Sequence, residues 1–444
     1  IGFSLIASFY LTYDLNSGVV LVGTITASLL VYFFANIIGK PSQKYGLPFS
    51  VILRMSMGIN GARYIALLRG LVGIFMFGVQ TFFISKSIGY IIRIAIHTYD
   101  SSFLGKDLFL LFYMGMDVID GFSFIITLLI QYWLFSKDQS QNRLFINFSA
   151  LLVYFGLIFF LIIILSENFN EISNNLKMSL NFNNFFMSKN IEPLITVTGT
   201  LFAYFSIIIV NFGDYSRYVK NENELNKGNL SLILNIIVFS FLAITLVIGS
   251  DIILAKKMIE VNQLLTNPND ILGKIDNKIL TIGAIFFVFF ASTSTNLIAN
   301  YIPSQNSLLN FLPKNLNLKS SGFIIIFIGF FIGLLWLPIL SQIGILSIVD
   351  TLGAFFGPIF GIIIADYYLI NEKKINNKDI FSSISSGSYY FTGGWQIKGI
   401  YSLIIGFIFS ASTIWNPELN YLQSFSWLIG AFVSWFTYYL MASE

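Results

Sequence analysis

The sequence predicts an all-α integral membrane protein with about twelve transmembrane helices. Three observations carry that expectation. Only 11% of the 444 residues are charged and 56% are hydrophobic, with a mean hydropathy of +0.77, whereas soluble domains carry roughly 25% charged residues. The apolar residues are gathered into long continuous runs of about the 20 residues that cross a hydrocarbon core of about 30 Å. These runs are too long and too evenly apolar for barrel strands, which alternate over about ten residues.

Taken in order, the runs cover 1–12, 17–39, 64–96, 108–135, 144–166, 192–212, 229–255, 279–300, 321–339, 342–370, 398–415 and 424–441. Each is expected to be a helix, because a backbone polar group left bare in lipid costs several kcal/mol. The first run, IGFSLIASFYL, is short, has no initiating methionine and lacks the charged flank of a signal peptide; it is expected to be the remainder of a longer helix. Lys and Arg favour one alternating set of loops by about two to one, including Lys40, Lys44, Arg54, Arg143, Arg217 and Lys374. The positive-inside rule then places the loop after the second run, and both termini, in the cytoplasm of a cell whose plasma (inner) membrane holds the chain. The loops 167–190 and 256–278 are rich in Asn, Lys and Ser and carry no recognisable chemistry.

Composition excludes several functions. There is no cysteine, and a single histidine, His97, so disulfides, thiolate sites and multi-histidine metal centres are out. The net charge of +3 is scattered over the loops, without the basic stripe that nucleic-acid binding requires. GxSxG, HExxH, GxGxxG and phosphate-binding loops are absent, so no enzyme is expected. No obligate protein partner is indicated; the partners are membrane lipid and a small molecule.

Polar groups inside the runs are therefore the informative residues, since each is expensive in hydrocarbon. In the third, Met76 and Gln80 lie one turn apart on one face, and the glutamine amide suits the edge of an amide or imide. In the sixth, Thr198, Gly199 and Thr200 precede Tyr204 and Phe205; small residues there permit either an unwound bend or close helix packing. The eighth holds the densest patch, ASTSTNLIAN at 291–300, where Ser294 and Thr295 offer the hard oxygens a small cation prefers and Asn300 follows. Back-bonding of these hydroxyls to their own helix is the plainer alternative. The tenth buries Asp350, with an ion, a proton or Arg69 as candidate partner, and Gly357-Pro358 is expected to kink it.

Five motifs, KYGLPFSVILRMSMGINGA at 44–62, FGVQTFF at 77–83, VNFGDYSRY at 210–218, STSTNLIAN at 292–300 and GPIFGIIIADYYL at 357–369, follow one another in order. In content and spacing they resemble nucleobase:cation symporter family 1, and most closely its uracil, allantoin and hydantoin branch. The resemblance covers essentially the whole chain. It implies a LeuT-like fold, two inverted five-helix repeats (1–166 and 192–370) followed by two extra helices (398–441), and symport of a nucleobase or related heterocycle with a cation by alternating access. Residue by residue it implies that Gln80 and Asn300 hydrogen-bond the substrate ring. Met76 and Phe205 fall where the family's hydantoin carriers place two tryptophans around that ring, and Tyr204 falls at a glycine. Val349 matches a gating residue. Ala291 through its carbonyl, and Ser294 and Thr295 through their hydroxyls, match half of a sodium site. The other half belongs to a part of the first helix expected to precede Ile1. Sodium is expected over protons because neutral hydroxyls do not titrate, with Asp350 the protonatable alternative; an asparagine stands at that position in the hydantoin carriers. An amino-acid or vitamin carrier of the same superfamily fold, and more remotely a membrane sensor or enzyme, are the competing readings.

Overall fold

The computed structural model describes residues 2–11, 16–106, 111–179, 188–256 and 278–443. Helices follow one another throughout: α1 (Gly2–Leu11), α2 (Ser17–Tyr45), α3 (Phe49–Tyr99), α4 (Val118–Phe135), α5 (Gln139–Ser179), α6 (Ser188–Val210), the short α7 (Gly213–Ser216) and α8 (Glu222–Lys256). Then come α9 (Lys278–Asn296), α10 (Ile302–Phe311), α11 (Leu318–Leu334), α12 (Ser341–Ile343), α13 (Ile345–Ala365), α14 (Ile397–Trp415) and α15 (Ser426–Ser443). Among the described residues ten helical segments are long and apolar enough to cross a membrane, and an eleventh forms when α11 is joined to Trp336–Ile343 across a 51° bend. With α1 as a short additional piece, this matches the dozen runs of the sequence.

The faces of α4 show what solvent the fold requires. Ser123, Thr127 and Gln131 are fully buried, while Leu129 and Trp133 are each 62% exposed and Phe122 and Ile125 lie on the same outer stripe. A helix that hides its polar side and presents large apolar side chains is stable only in hydrocarbon.

Breaks between helices have local causes. Gly46 ends α2 in the left-handed region (φ 68°), its amide donating to the Ser42 carbonyl. Pro48 then starts α3 from an extended conformation, and the Phe49 amide donates across the fold to Asp214 Oδ1 at 3.0 Å. Burial pushes the Asp214 carboxyl above the usual carboxylate range. Within α3, Gly58 has φ 74°, and a Cβ there would lie 2.5 Å from the Gly394 carbonyl oxygen. The two strands of chain are tied by Asn60 N to Gly394 O (2.8 Å) and Gln396 N to Met57 O (3.0 Å). Only glycine meets both demands. Basic residues tie neighbouring loops together: Lys40 pairs with Glu222 at 2.7 Å, and Arg54 Nη1 donates to the Ile380 carbonyl at 3.1 Å.

Helix α6 runs unbroken through Thr198, Gly199 and Thr200, and a Cβ at Gly199 would approach the Ser424 carbonyl oxygen to 2.2 Å, so of the two readings of the small residues close packing is the one the structure has. Pro358 lies inside α13, against Gly430. Of the loop 167–190, residues up to Ser179 extend α5 and 180–187 lie outside the described residues, as do 257–277.

Two large buried cores share the helices. One joins α1, α2, α6, α8, α13 and α15 with the first part of α3 and parts of α5 and α9; the other joins the later part of α3, α4, α11 and the segment from Leu297 to Leu308, and a third, smaller cluster packs Leu47–Met55 against Tyr367, Ile375, Ile380 and Tyr389. Side chains packed on both of the larger cores line the seam between them.

Candidate substrate and cation site

A cavity of about 370 Å³ opens on that seam. Its wall takes Phe3 from α1, Gln80 from α3, Tyr204 and Phe205 from α6, and Ala291 and Thr295 from α9. The volume lies in the range of about 300–1,000 Å³ used by small-molecule sites. Tyr204 and Phe205 meet edge to face at 5.2 Å between ring centroids, and Phe83, Phe239 and Phe287 add further aromatic surface. Such a wall presents flat faces to a ring and few polar atoms, so the polar groups that do appear set orientation.

Of the expected site residues, Gln80, Phe205, Tyr204, Ala291 and Thr295 line this one cavity, whereas Met76, Ser294, Asn300, Val349 and Asp350 do not. Met76, Asn300 and Val349 are buried, at 5%, 5% and 0% exposure. Asn300 reaches the cavity through its neighbour: its Nδ2 donates to Gln80 Oε1 at 3.4 Å, while Gln80 Nε2 donates to the Ser292 carbonyl at 3.0 Å.

On α9 the Ala291 carbonyl accepts from Ser294 Oγ at 3.0 Å and from Thr295 Oγ1 at 2.9 Å. This is the back-bonding geometry, and it gathers three oxygens on one turn. Each hydroxyl spends its hydrogen on the carbonyl and keeps lone pairs free, so the turn combines helical satisfaction with acceptor oxygens suited to a hard cation. Among the described residues no group of three or more His, Cys, Asp or Glu side chains is placed to hold a metal.

Asp350 is buried on α13 and accepts from Thr200 Oγ1 (3.4 Å) and Gln423 Nε2 (3.1 Å). Arg69 is not its partner. The fully buried guanidinium instead donates from Nε to the Ile207 carbonyl (3.0 Å) and Asn211 Oδ1 (2.9 Å), and from Nη2 to the Ala299 carbonyl (3.1 Å). It thereby joins α3 to the end of α6 and to the chain after α9. Asp117 and Asp120 are paired structurally, with Arg93 (2.6 and 2.9 Å), and Asp120 also with Lys86 (2.6 Å).

Sequence reasoning missed Asn296, Thr81 and Gln131, which form a buried polar cluster behind Gln80. The signal was present: Asn296 stands one turn before Asn300, and Gln131 interrupts an otherwise apolar run.

A family model described as a permease for cytosine/purines, uracil, thiamine and allantoin matches residues 1–430. The chain belongs to that family. It is a permease and not an enzyme. The allantoin permease of Bacillus subtilis (strain 168) is 25% identical over 442 residues, 97% of this chain and 86% of that protein. Among solved structures, the nucleobase-cation-symport-1 family transporter Mhp1, closed with bromovinylhydantoin bound, superposes with a TM-score of 0.67 at 17% identity, covering 99% of this chain and 91% of that one. A Na+-coupled sialic acid symporter in an outward-open state gives 0.57 at 12% identity, covering 100% and 89%. The permease accordingly has the LeuT-like fold.

Proposed function

We propose that the permease couples sodium entry to uptake of a cyclic imide or ureide such as uracil, allantoin or hydantoin. The observation that carries this reading is the single cavity wall to which Gln80, Phe205, Tyr204, Ala291 and Thr295 all contribute. Cation and ring would then lie in one space, and binding of each would favour the state that binds the other, by the same factor in both directions. Gln80, seconded by Asn300, orients the ring; Phe205 and Tyr204 supply its stacking surface; Met76 and Val349 back the pocket from their buried positions. Ala291, Ser294 and Thr295 hold the ion, and alternation exposes the site to each side in turn.

Support for the substrate class comes from the family description and from the names of the allantoin permease and of the hydantoin-bound transporter. Sodium is favoured by neutral oxygen ligands and by the sodium-coupled neighbour. We place the more basic set of loops in the cytoplasm, on the inner side of a plasma (inner) membrane, with repeats at 1–166 and 192–370 and an added pair of helices at 398–441. Reconstitution into liposomes tests the reading. An inward sodium gradient should drive uptake of labelled uracil, allantoin or hydantoin; absence of gradient-driven uptake of all three would overturn it.

A further inference from the structure

Behind the cavity, five polar side chains form one continuous chain of hydrogen bonds. Asn300 Nδ2 donates to Gln80 Oε1 at 3.4 Å and to Asn296 Oδ1 at 2.9 Å. Asn296 Nδ2 donates to the Phe77 carbonyl (3.3 Å), Thr81 Oγ1 (3.1 Å) and Gln131 Oε1 (3.4 Å). The single Thr81 hydroxyl hydrogen can go either to the Phe77 carbonyl at 2.7 Å or to Gln131 Oε1 at 3.0 Å. Thr81, Asn296 and Gln131 are fully buried, so no bulk water competes for these groups.

An amide side chain has a donor end and an acceptor end, and its partners decide which way round it lies. Both ends of this chain rest on backbone carbonyls, which only accept. Facing Phe77 O, Asn296 must turn its NH2 inward to the Thr81–Gln131 pair and its Oδ1 towards Asn300. Facing Ser292 O, Gln80 must turn its NH2 there and its Oε1 towards Asn300. Asn300 therefore sits between two acceptors with its Nδ2 hydrogens committed to them. What remains for a ligand follows: a donor at the cavity wall in the second Gln80 Nε2 hydrogen and, once a ligand reaches past Gln80, an acceptor at Asn300 Oδ1.

Gln131 behaves as a supplier of an acceptor rather than as a packing group. Its Oε1 accepts from Asn296 Nδ2 and is the alternative acceptor for the Thr81 hydroxyl, while its own Nε2 is buried without a hydrogen-bond partner. An orphaned buried donor costs stability, so packing alone would favour an apolar side chain at this position.

We propose that Gln131 and Thr81 are positioning residues for the substrate site. They hold Asn296 in one orientation and, through it, fix the polarity with which Asn300 and Gln80 meet a ligand. That polarity selects a ring edge carrying an N–H donor beside a carbonyl acceptor, as cyclic imides and ureides do. The inference rests on the reading of Gln80 and Asn300 as substrate contacts.

Uptake into liposomes by the full chain tests it, using whichever of uracil, allantoin and hydantoin the wild type transports fastest. Gln131→Leu removes the acceptor. Thr81→Val removes only a hydroxyl from a nearly isosteric side chain, and decides the matter if Gln131→Leu fails to insert. Both should raise KM about 10-fold or more, with Vmax per inserted transporter within about twofold of wild type, since one misdirected hydrogen bond corresponds to about a decade of affinity. Gln131→Glu, neutral in this apolar setting, keeps a carbonyl oxygen in place and should restore KM to within about threefold. Unchanged KM with lowered Vmax or abundance in both variants would overturn the positioning role and leave an ordinary packing cluster. No uptake of any of the three compounds by the wild type would instead overturn the function proposed above.

Discussion

Removing the Thr295 hydroxyl by Thr295→Ala should raise the sodium concentration needed for half-maximal uptake by about 10- to 100-fold. The magnitude follows from the site. Thr295 spends its hydrogen on the Ala291 carbonyl at 2.9 Å, so its oxygen lone pairs remain for an ion. An oxygen contact to a charged group contributes about 1.5–3 kcal/mol, and each 1.4 kcal/mol or so is a decade in affinity. Folding should be little affected, because Thr295 stands exposed on the cavity wall rather than packed in a core. Sodium titration of substrate uptake, with a parallel sodium titration of thermal stability, measures the shift. Thr295→Ser, which keeps the oxygen, should restore most of it. Thr293 provides the control: it lies two residues away, fully buried, with a hydroxyl that has no hydrogen-bond partner, so Thr293→Val should leave the sodium response unchanged. Half-saturating sodium within twofold of wild type in Thr295→Ala, or an equal shift in Thr293→Val, would refute the assignment of the ion to this turn.

Other outcomes test the rest of the site. Gln80→Ala should reduce uptake by about 10- to 100-fold, because the ring loses its orienting amide and the Asn300 donor loses its acceptor; near-normal uptake with normal insertion would remove Gln80 from the site. Asp350→Asn keeps a side-chain oxygen for Thr200 and Gln423, so sodium-driven uptake should stay within about threefold of wild type; uptake driven by an imposed pH gradient that vanishes in this variant would transfer coupling to the carboxylate. Gly199→Leu forces a side chain into the Ser424 carbonyl and should destabilise the permease by about 1–3 kcal/mol, read as a lowered melting temperature in detergent. Arg69→Leu leaves two backbone carbonyls and Asn211 without their donor and should cost about 3–5 kcal/mol or prevent insertion.

Periodicity and composition made the long helices legible because the bilayer imposes one solution on the backbone; the twelve runs map onto α1–α6, α8, α9, α11 and α13–α15 with shifted ends, while α7 and α10 lie in no run. Helix ends were less legible. Gly58 reads as one glycine among many until the chain near Gly394 is seen to press against it. Motif content located Gln80, Phe205, Ala291 and Thr295 on one cavity, since they lie on helices whose polar interruptions already stood out. The Asp350 environment was hidden, because Gln423 comes from a connection far along the chain and no local pattern links the two. Asn296 and Gln131 escaped for a related reason: each looks like a single polar interruption, and only their meeting across α4 and α9 turns them into one network.

The connection at Pro417–Phe425 ties the last two helices to the rest of the fold. It lays the Ser424 carbonyl against Gly199 of α6 and extends Gln423 to Asp350 of α13. The connection between α14 and α15 thus braces α6 and α13, and a chain cut after Trp415 would strip α6 of its cover and leave a buried carboxylate with one donor.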